Sequence, residues 1–128
     1  MKNVLIIGCG LLGSSLLRRI AKKKLAKKIF IYDKSKKNLA KIKRLKLPGT
    51  IVKEPQDAVA QSHFIILCTP MSEYKKIILK LNNFLTTKHV FTDIGSAKLK
   101  SEEIIKKNLK RNIFWTSSHP IAGSEVSG

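Results

Sequence analysis

The sequence predicts an α/β fold, a doubly wound parallel sheet of about six strands with helices on both faces. Three observations predict it. Short, continuous apolar runs recur along the whole chain, as expected of strands buried on both faces. Segments of helical periodicity separate these runs, as right-handed parallel crossovers require. The length, 128 residues, is that of one ordinary domain, so residues 1–128 are expected to form a single unit around one sheet.

The first run, Asn3-Val4-Leu5-Ile6-Ile7, stops at Gly8-Cys9-Gly10 and reads as a buried strand. Gly13, Leu17 and Ile20 then fall at i, i+4 and i+7, with Leu12 and Leu16 beside them, which predicts a helix with one buried stripe. Its cationic end, Lys22-Lys23-Lys24, suits the helix dipole. Ile29-Phe30-Ile31-Tyr32 is the second strand, stopped by Asp33-Lys34-Ser35, and Leu39, Ile42 and Leu45 give a basic helix that ends at Pro48-Gly49. Thr50-Ile51-Val52 is a brief third strand. Pro55 opens a short helix through Ala60, since the first turn of a helix leaves its N–H groups unpaired in any case. His63-Phe64-Ile65-Ile66-Leu67-Cys68 is the fourth strand, ended by Thr69-Pro70. Tyr74, Ile77, Ile78, Leu81 and Leu85 match the i, i+3, i+4, i+7, i+11 template, with Ser72 as N-cap and Glu73 as first-turn acid. His89-Val90-Phe91-Thr92-Asp93 is the fifth strand, Ser101-Glu102-Glu103 opens a helix carrying Ile104, Ile105 and Leu109, and Ile113-Phe114-Trp115-Thr116 is the sixth strand. Six strands thus alternate with five helices.

Composition removes several function classes. Hydrophobic residues make up 43% and charged residues 27%, which excludes a disordered tail or low-complexity chain. No apolar run approaches the roughly 20 residues of a membrane span, and the opening run is too short for a signal peptide, so a cytoplasmic location is expected. Cys9 and Cys68 lie 59 positions apart with no paired ligand spacing, so neither a structural metal nor a disulfide scaffold is expected. The charge is lopsided: 26 Lys plus Arg, of which 22 are Lys, face 8 Asp plus Glu, a net +18. Such a surface attracts polyanions. Yet the lysines are spread over nearly every helix, Arg is scarce, and the aromatic interleaving of a strand reader is missing, which favours compositional drift over a nucleic-acid partner.

The chemistry lies at the carboxyl ends of the strands. Gly8-Cys9-Gly10-Leu11-Leu12-Gly13 is a G-x-G-x-x-G turn that follows a strand and opens a helix, the arrangement of the Rossmann dinucleotide-binding fold. Its glycines serve a tight turn, close approach to a pyrophosphate, and close packing of helix on strand, and the helix N-terminus receives the phosphates. Asp33 lies 20 residues after Gly13 at the end of the second strand, where a carboxylate accepts hydrogen bonds from both ribose hydroxyls and repels a 2′-phosphate. NAD is therefore favoured over NADP, although Lys34, Lys36 and Lys37 count the other way, and a turn residue closing a strand is the plainer role for Asp33. Thr69-Pro70, Asp93-Ile94-Gly95-Ser96 and His119-Pro120 follow the fourth, fifth and sixth strands, where a bound ligand would lie. His119 there can accept a hydroxyl proton while hydride leaves the same carbon, with Ser96 beside it. His63 and His89, at strand starts on the opposite edge, are surface or packing residues. Cys9 and Cys68 end strands that are neighbours in the order 3-2-1-4-5-6, so their sulfurs are either inert small side chains or a redox-sensitive pair.

Four blocks resemble the N-terminal nucleotide-binding domain of the prephenate and arogenate dehydrogenase family, enzymes of tyrosine and hence aromatic amino acid biosynthesis. They are Gly8 to Leu16, Leu67-Cys68-Thr69-Pro70, Thr92-Asp93-Ile94-Gly95-Ser96-Ala97-Lys98, and His119-Pro120-Ile121-Ala122-Gly123-Ser124-Glu125-Val126-Ser127-Gly128. The resemblance implies an oxidoreductase that decarboxylates prephenate oxidatively to 4-hydroxyphenylpyruvate, hydride leaving C4 of the ring for NAD as carbon dioxide departs. It assigns His119 to the C4 hydroxyl and Ser96 to positioning both histidine and substrate. Glu125 falls near the substrate side chain, and Thr69 and Pro70 along the cofactor, beside Gly8, Gly10, Leu11, Leu12, Gly13 and Asp33. It further implies a helical domain that completes the substrate site and forms a homodimer, and which these 128 residues do not contain. Arogenate as substrate, with NAD or NADP, and a catalytically incomplete binding or sensor module stay open. A 3-hydroxyacid dehydrogenase or imine reductase would account for the glycine turn and Asp33 but not for His119 to Gly128.

Overall fold

Strand β1 (Val4–Ile7) lies inside a six-stranded parallel sheet, between β2 (Ile29–Tyr32) and β4 (Phe64–Leu67). The edge strand β3 (Thr50–Ile51) pairs with β2, while β5 (Val90–Asp93) and β6 (Phe114–Ser117) extend the sheet beyond β4, giving the order β3-β2-β1-β4-β5-β6. The computed structural model describes residues 2–94 and 98–117, with the side chains of Lys98 and Ser117 excepted. Among the described residues four α-helices join the strands: α1 (Leu11–Lys22), α2 (Lys36–Arg44), α3 (Tyr74–Leu81) and α4 (Lys98–Asn108).

The alternation of side chains along each strand divides the core in two. Val4 and Ile6 of β1, with Ile29, Ile31 and Ile66, pack under Leu17 and Ile20 of α1 and Ile42 of α2. Leu5 and Ile7, with Ile65, Leu67 and Phe91, pack on the other face under Tyr74, Ile77, Ile78 and Leu81 of α3, Ile105 of α4 and Leu109 just past its end. Burial on both faces is why these strands read as unbroken apolar runs rather than as alternating ones.

The differences from the sequence expectation are local. The fifth helix, expected from Pro55 to Ala60, is a 3-10 turn over Pro55–Ala58. Val59, Gln61 and Ser62 donate their N–H groups to Gln56, Ala58 and Val59, three residues back in each case, so the segment never closes a four-residue turn. Ser72 does not cap α3; a second 3-10 turn, Met71–Glu73, carries the chain into it, and Glu73 stands at the cap position without a capping bond from its side chain. The helix ends at Leu81, short of Leu85, which is nonetheless buried because its N–H returns to the Leu81 carbonyl. The last helix starts at Lys98, so Ser101 lies buried within it rather than opening it.

His63 is exposed and His89 is buried, and both fit their expected structural roles. His89 Nε2 donates to the Val59 carbonyl (2.8 Å) and Nδ1 accepts the Thr86 N–H (2.9 Å), which ties the start of β5 to the turn before β4. No helix among the described residues is long and apolar enough to cross a membrane.

At the other end of β5, the Tyr74 hydroxyl donates to Asp93 Oδ2 at 2.7 Å, both groups being buried. This bond fixes the start of α3 against the carboxyl end of the sheet. Tyr74→Phe keeps the ring and deletes a donor to a buried carboxylate, so urea unfolding is expected to show a loss of about 1.5–3 kcal/mol.

Candidate functional site

The strand register aligns the site. Ile7 pairs with both Tyr32 and Leu67, so Gly8, Asp33 and Cys68 leave the sheet at one level. Between β1 and β4 the order of strands reverses, and the chain diverges to opposite sides. A crevice opens there at the carboxyl edge. It holds a cleft of about 610 Å³, lined by Gly8, Gly10, Leu11, Leu12, Asp33, Thr69 and Pro70, each of them a site residue expected from sequence. Ile94 lines it from beyond β5. Ser96, His119 and Glu125 lie outside the described residues.

The three glycines of the turn meet different constraints. Gly8 has φ +95°, and a Cβ there would come within 2.8 Å of the Thr69 backbone nitrogen. A Cβ on Gly13 would overlap the Gly8 carbonyl oxygen, so α1 approaches β1 as closely as it does because residue 13 has no side chain. At Gly10 a Cβ would meet nothing within 4 Å. The fold does not require a glycine there; the open space belongs to the cleft.

Asp33 is buried and anchors the turn to the next helix. Oδ2 accepts the Cys9 N–H (2.7 Å) and the Asn38 side-chain amide (2.8 Å), and Oδ1 accepts the Ser35 N–H (2.8 Å). Ser35 in turn caps α2, its hydroxyl accepting the Asn38 N–H. A carboxylate has about four acceptor positions, so one remains, on Oδ1.

Helix α1 begins with no side-chain cap and no acid in its first turn, leaving its first N–H groups and positive dipole end for an anion. Leu11 and Leu12 are 87% and 58% exposed at the mouth of the cleft, and the buried Thr69 Oγ1 has no hydrogen-bond partner among the described residues. Exposed leucines, an orphaned hydroxyl and an uncapped helix start on one cleft are the features of a ligand site with an anionic centre and apolar flanks.

Sequence reasoning missed the cleft's outer wall. Lys34 and Glu73 form an ion pair of 2.9 Å, Lys80 and Glu54 one of 3.2 Å, and Lys76 lines the cleft beside Lys34, Glu73 and Lys80. The spacing of Glu73, Lys76, Ile77 and Lys80 on one helical face was the available signal. What it lacked was the partner wall.

The family model for the prephenate dehydrogenase nucleotide-binding domain matches residues 16–128. The chain belongs to this family. It is 30% identical over 127 residues to a cyclohexadienyl dehydrogenase of Zymomonas mobilis, covering 99% of this chain and 43% of that protein. It is 32% identical over 133 residues to a prephenate dehydrogenase of Lactococcus lactis, covering 100% of this chain and 36% of the relative. The crystal structure of prephenate dehydrogenase from Aquifex aeolicus, in complex with hydroxyphenyl propionate and NAD+, superimposes with a TM-score of 0.71 at 26% identity, covering 96% of this chain and 43% of that one. The chain thus spans less than half the length of these family members.

Within this nucleotide-binding domain the cysteines are structural. Cys9 is buried beside the glycine turn and Cys68 packs behind Gly13; both thiols are free, and burial pushes both above the ordinary thiol range. A thiolate is the species that attacks a disulfide or an alkylating reagent, so neither sulfur is poised for exchange. The sign for stability follows: the unfolded chain ionises these thiols near pH 8.5 and the folded one only at higher pH, so their contribution is complete below that pH and is lost as pH rises further. Alkylation by iodoacetamide at pH 8 is expected to be at least about tenfold slower in the native protein than in urea.

Gly10→Val is expected to unfold within about 1 kcal/mol of the wild type, since open space receives the side chain, yet to lose nucleotide binding. Gly13→Ala, tested alongside, is expected to cost about 1–3 kcal/mol or more because helix and strand must separate.

Proposed function

We propose that the protein is the NAD-binding half of a dehydrogenase that converts prephenate to 4-hydroxyphenylpyruvate by oxidative decarboxylation. The observation that carries this reading is Asp33, buried at the end of β2 and bonded to the Cys9 N–H of the glycine turn, beneath the open cleft at the β1–β4 reversal. The remaining acceptor position on Oδ1 serves one ribose hydroxyl, and a second bond requires Asn38 to give up its own. The α1 N-terminus and the space at Gly10 take the pyrophosphate, while Leu11, Leu12, Thr69 and Pro70 flank the dinucleotide. NAD, when bound, supplies the hydride acceptor.

The proton side of the reaction falls to residues beyond the described strands. His119 accepts the proton of the C4 hydroxyl, Ser96 orients the histidine and substrate, and Glu125 lies toward the substrate side chain. Asp93 pairs with Ser117, so β5 and β6 end side by side, three residues before Ser96 and two before His119. This supports a shared role for the two. Aromatisation drives the loss of carbon dioxide once hydride leaves, so proton removal and exclusion of water are what the protein adds. In this reading the helical domain that completes the substrate site comes from the part of the relatives' length that this chain does not span.

Calorimetric titration at moderate salt is expected to show saturable NAD binding, weaker NADP binding, and NADH formation on adding prephenate if the chain suffices for turnover. Turnover with arogenate instead would reassign the substrate, and NAD binding without turnover would mark a cofactor half that requires the second domain. Loss of NADH formation in His119→Asn, with NAD affinity kept within about twofold, is expected of a proton acceptor that does not hold the cofactor. Equal loss of binding and turnover would remove that role.

A further inference from the structure

The cleft carries charges that the proposed function leaves unused. Lys34 lines it from the turn after β2, and Glu73, Lys76 and Lys80 line it from α3 and the turn before it. Glu54 stands next to lining residue Pro55. Both ion pairs cross between walls: Lys34 Nζ lies 2.9 Å from Glu73 Oε1, and Lys80 Nζ lies 3.2 Å from Glu54 Oε1. Asp33, the immediate neighbour of Lys34, takes its bonds from neutral donors instead, two backbone N–H groups and the Asn38 amide. Lys34 is therefore drawn across the cleft toward Glu73 rather than onto Asp33. The Glu73 carboxyl is held below its usual range by the hydrogen bond from Lys34, with Lys76 one turn away adding to the effect.

This arrangement answers the ambiguity left by Lys34, Lys36 and Lys37. A cation just beyond the ribose acid is what accommodates a 2′-phosphate. Lys36 and Lys37 are exposed on the first turn of α2 and do not line the cleft, whereas Lys34 does. Its charge is already matched. Asp33 and Glu73 face Lys34, Lys76 and Lys80 in the lining, and Glu54 beside it pairs with Lys80, so the cleft is close to neutral in a chain of net charge +18. A dianionic 2′-phosphate brought to this place meets Asp33 and Glu73 with Lys34 occupied.

We propose that Glu73 is a specificity-determining residue, which keeps the cleft selective for the dinucleotide without a 2′-phosphate by holding Lys34 away from the ribose position at Asp33. The inference rests on the reading of this cleft as an NAD site. Glu73 is also the better place to test selectivity than Asp33, because Asp33 holds the glycine turn and its loss changes loop and ligand together.

The experiment measures NAD and NADP affinities of the wild type, Glu73→Gln, and the double variant Glu73→Gln/Lys34→Met, at low and moderate salt. Glu73→Gln is expected to shift the affinity ratio toward NADP by about tenfold, the scale of one freed cation near a phosphate at a protein surface. The shift is expected to shrink as salt rises, and to disappear in the double variant. An unchanged ratio in Glu73→Gln, with wild-type NAD binding intact, overturns the role of Glu73 and leaves the cofactor site standing. A shift that survives in the double variant overturns the role of Lys34, since direct repulsion by Glu73 would then account for it. A wild type that binds neither nucleotide overturns the cofactor reading and this proposal together.

Discussion

Everything at the carboxyl edge depends on how closely α1 approaches β1. The helix begins one residue after Gly10, and Gly13 lies over the Gly8 carbonyl where no Cβ fits. That contact aims the uncapped N–H groups of α1 into the cleft and brings the Cys9 N–H within 2.7 Å of Asp33. One buried bond from a backbone amide to a carboxylate contributes about 1.5–3 kcal/mol, enough to define the position of a short turn. Through Ser35 and Asn38 the same carboxylate organises the start of α2. The turn, the acid and two helix starts thus form one hydrogen-bonded unit, and the cleft takes its shape from them.

The charge distribution divides along the same line. The excess of lysine sits on solvated helix faces, where salt screens it and single ion pairs contribute little. The carboxyl edge is different. Asp33 and Asp93 are buried there on hydrogen-bond donors, and Glu54 and Glu73 reach lysines of the opposite wall. With 8 acids against 26 bases, placing four of the acids around this edge leaves the cleft surface close to neutral while the rest of the molecule is strongly basic. A field of that kind draws anionic ligands toward the protein without deciding which of them the cleft retains.

The strands were legible because burial on both faces writes them as continuous apolar runs, and the sheet order followed from the dinucleotide-binding fold that the glycine turn indicates together with the alternation of strands and helices. Gly8, Gly10, Gly13 and Asp33 were legible because their spacing is set by the length of one strand-helix-strand unit. The 3-10 turn at Pro55–Ala58 was not, since a proline at the first position suits either helix type and the outcome rests on the bonds that Gln61 and Ser62 make afterwards. The cap of α3 was misplaced for a similar reason: Ser72 has the chemistry of a cap, but the turn from Pro70 spends those residues on reaching the sheet edge. The Tyr74–Asp93 bond and the ion pairs across the cleft join positions 19 to 39 residues apart, and no periodicity within either segment reports on its partner.

The glycine turn carries two kinds of constraint that its spacing alone cannot separate. Gly8 and Gly13 answer to the backbone, and any protein that packs a helix so closely on its first strand needs them whether or not it binds a nucleotide. Gly10 answers to nothing in the fold, because a side chain there meets open space. Under the proposed reading it is the residue of the motif that the ligand, and not the fold, accounts for. The family match begins at residue 16, beyond the turn, and so owes nothing to these glycines. Two independent features therefore converge on one cleft: the sequence pattern of residues 16–128, and an unfilled space held open by Gly10 at the start of α1.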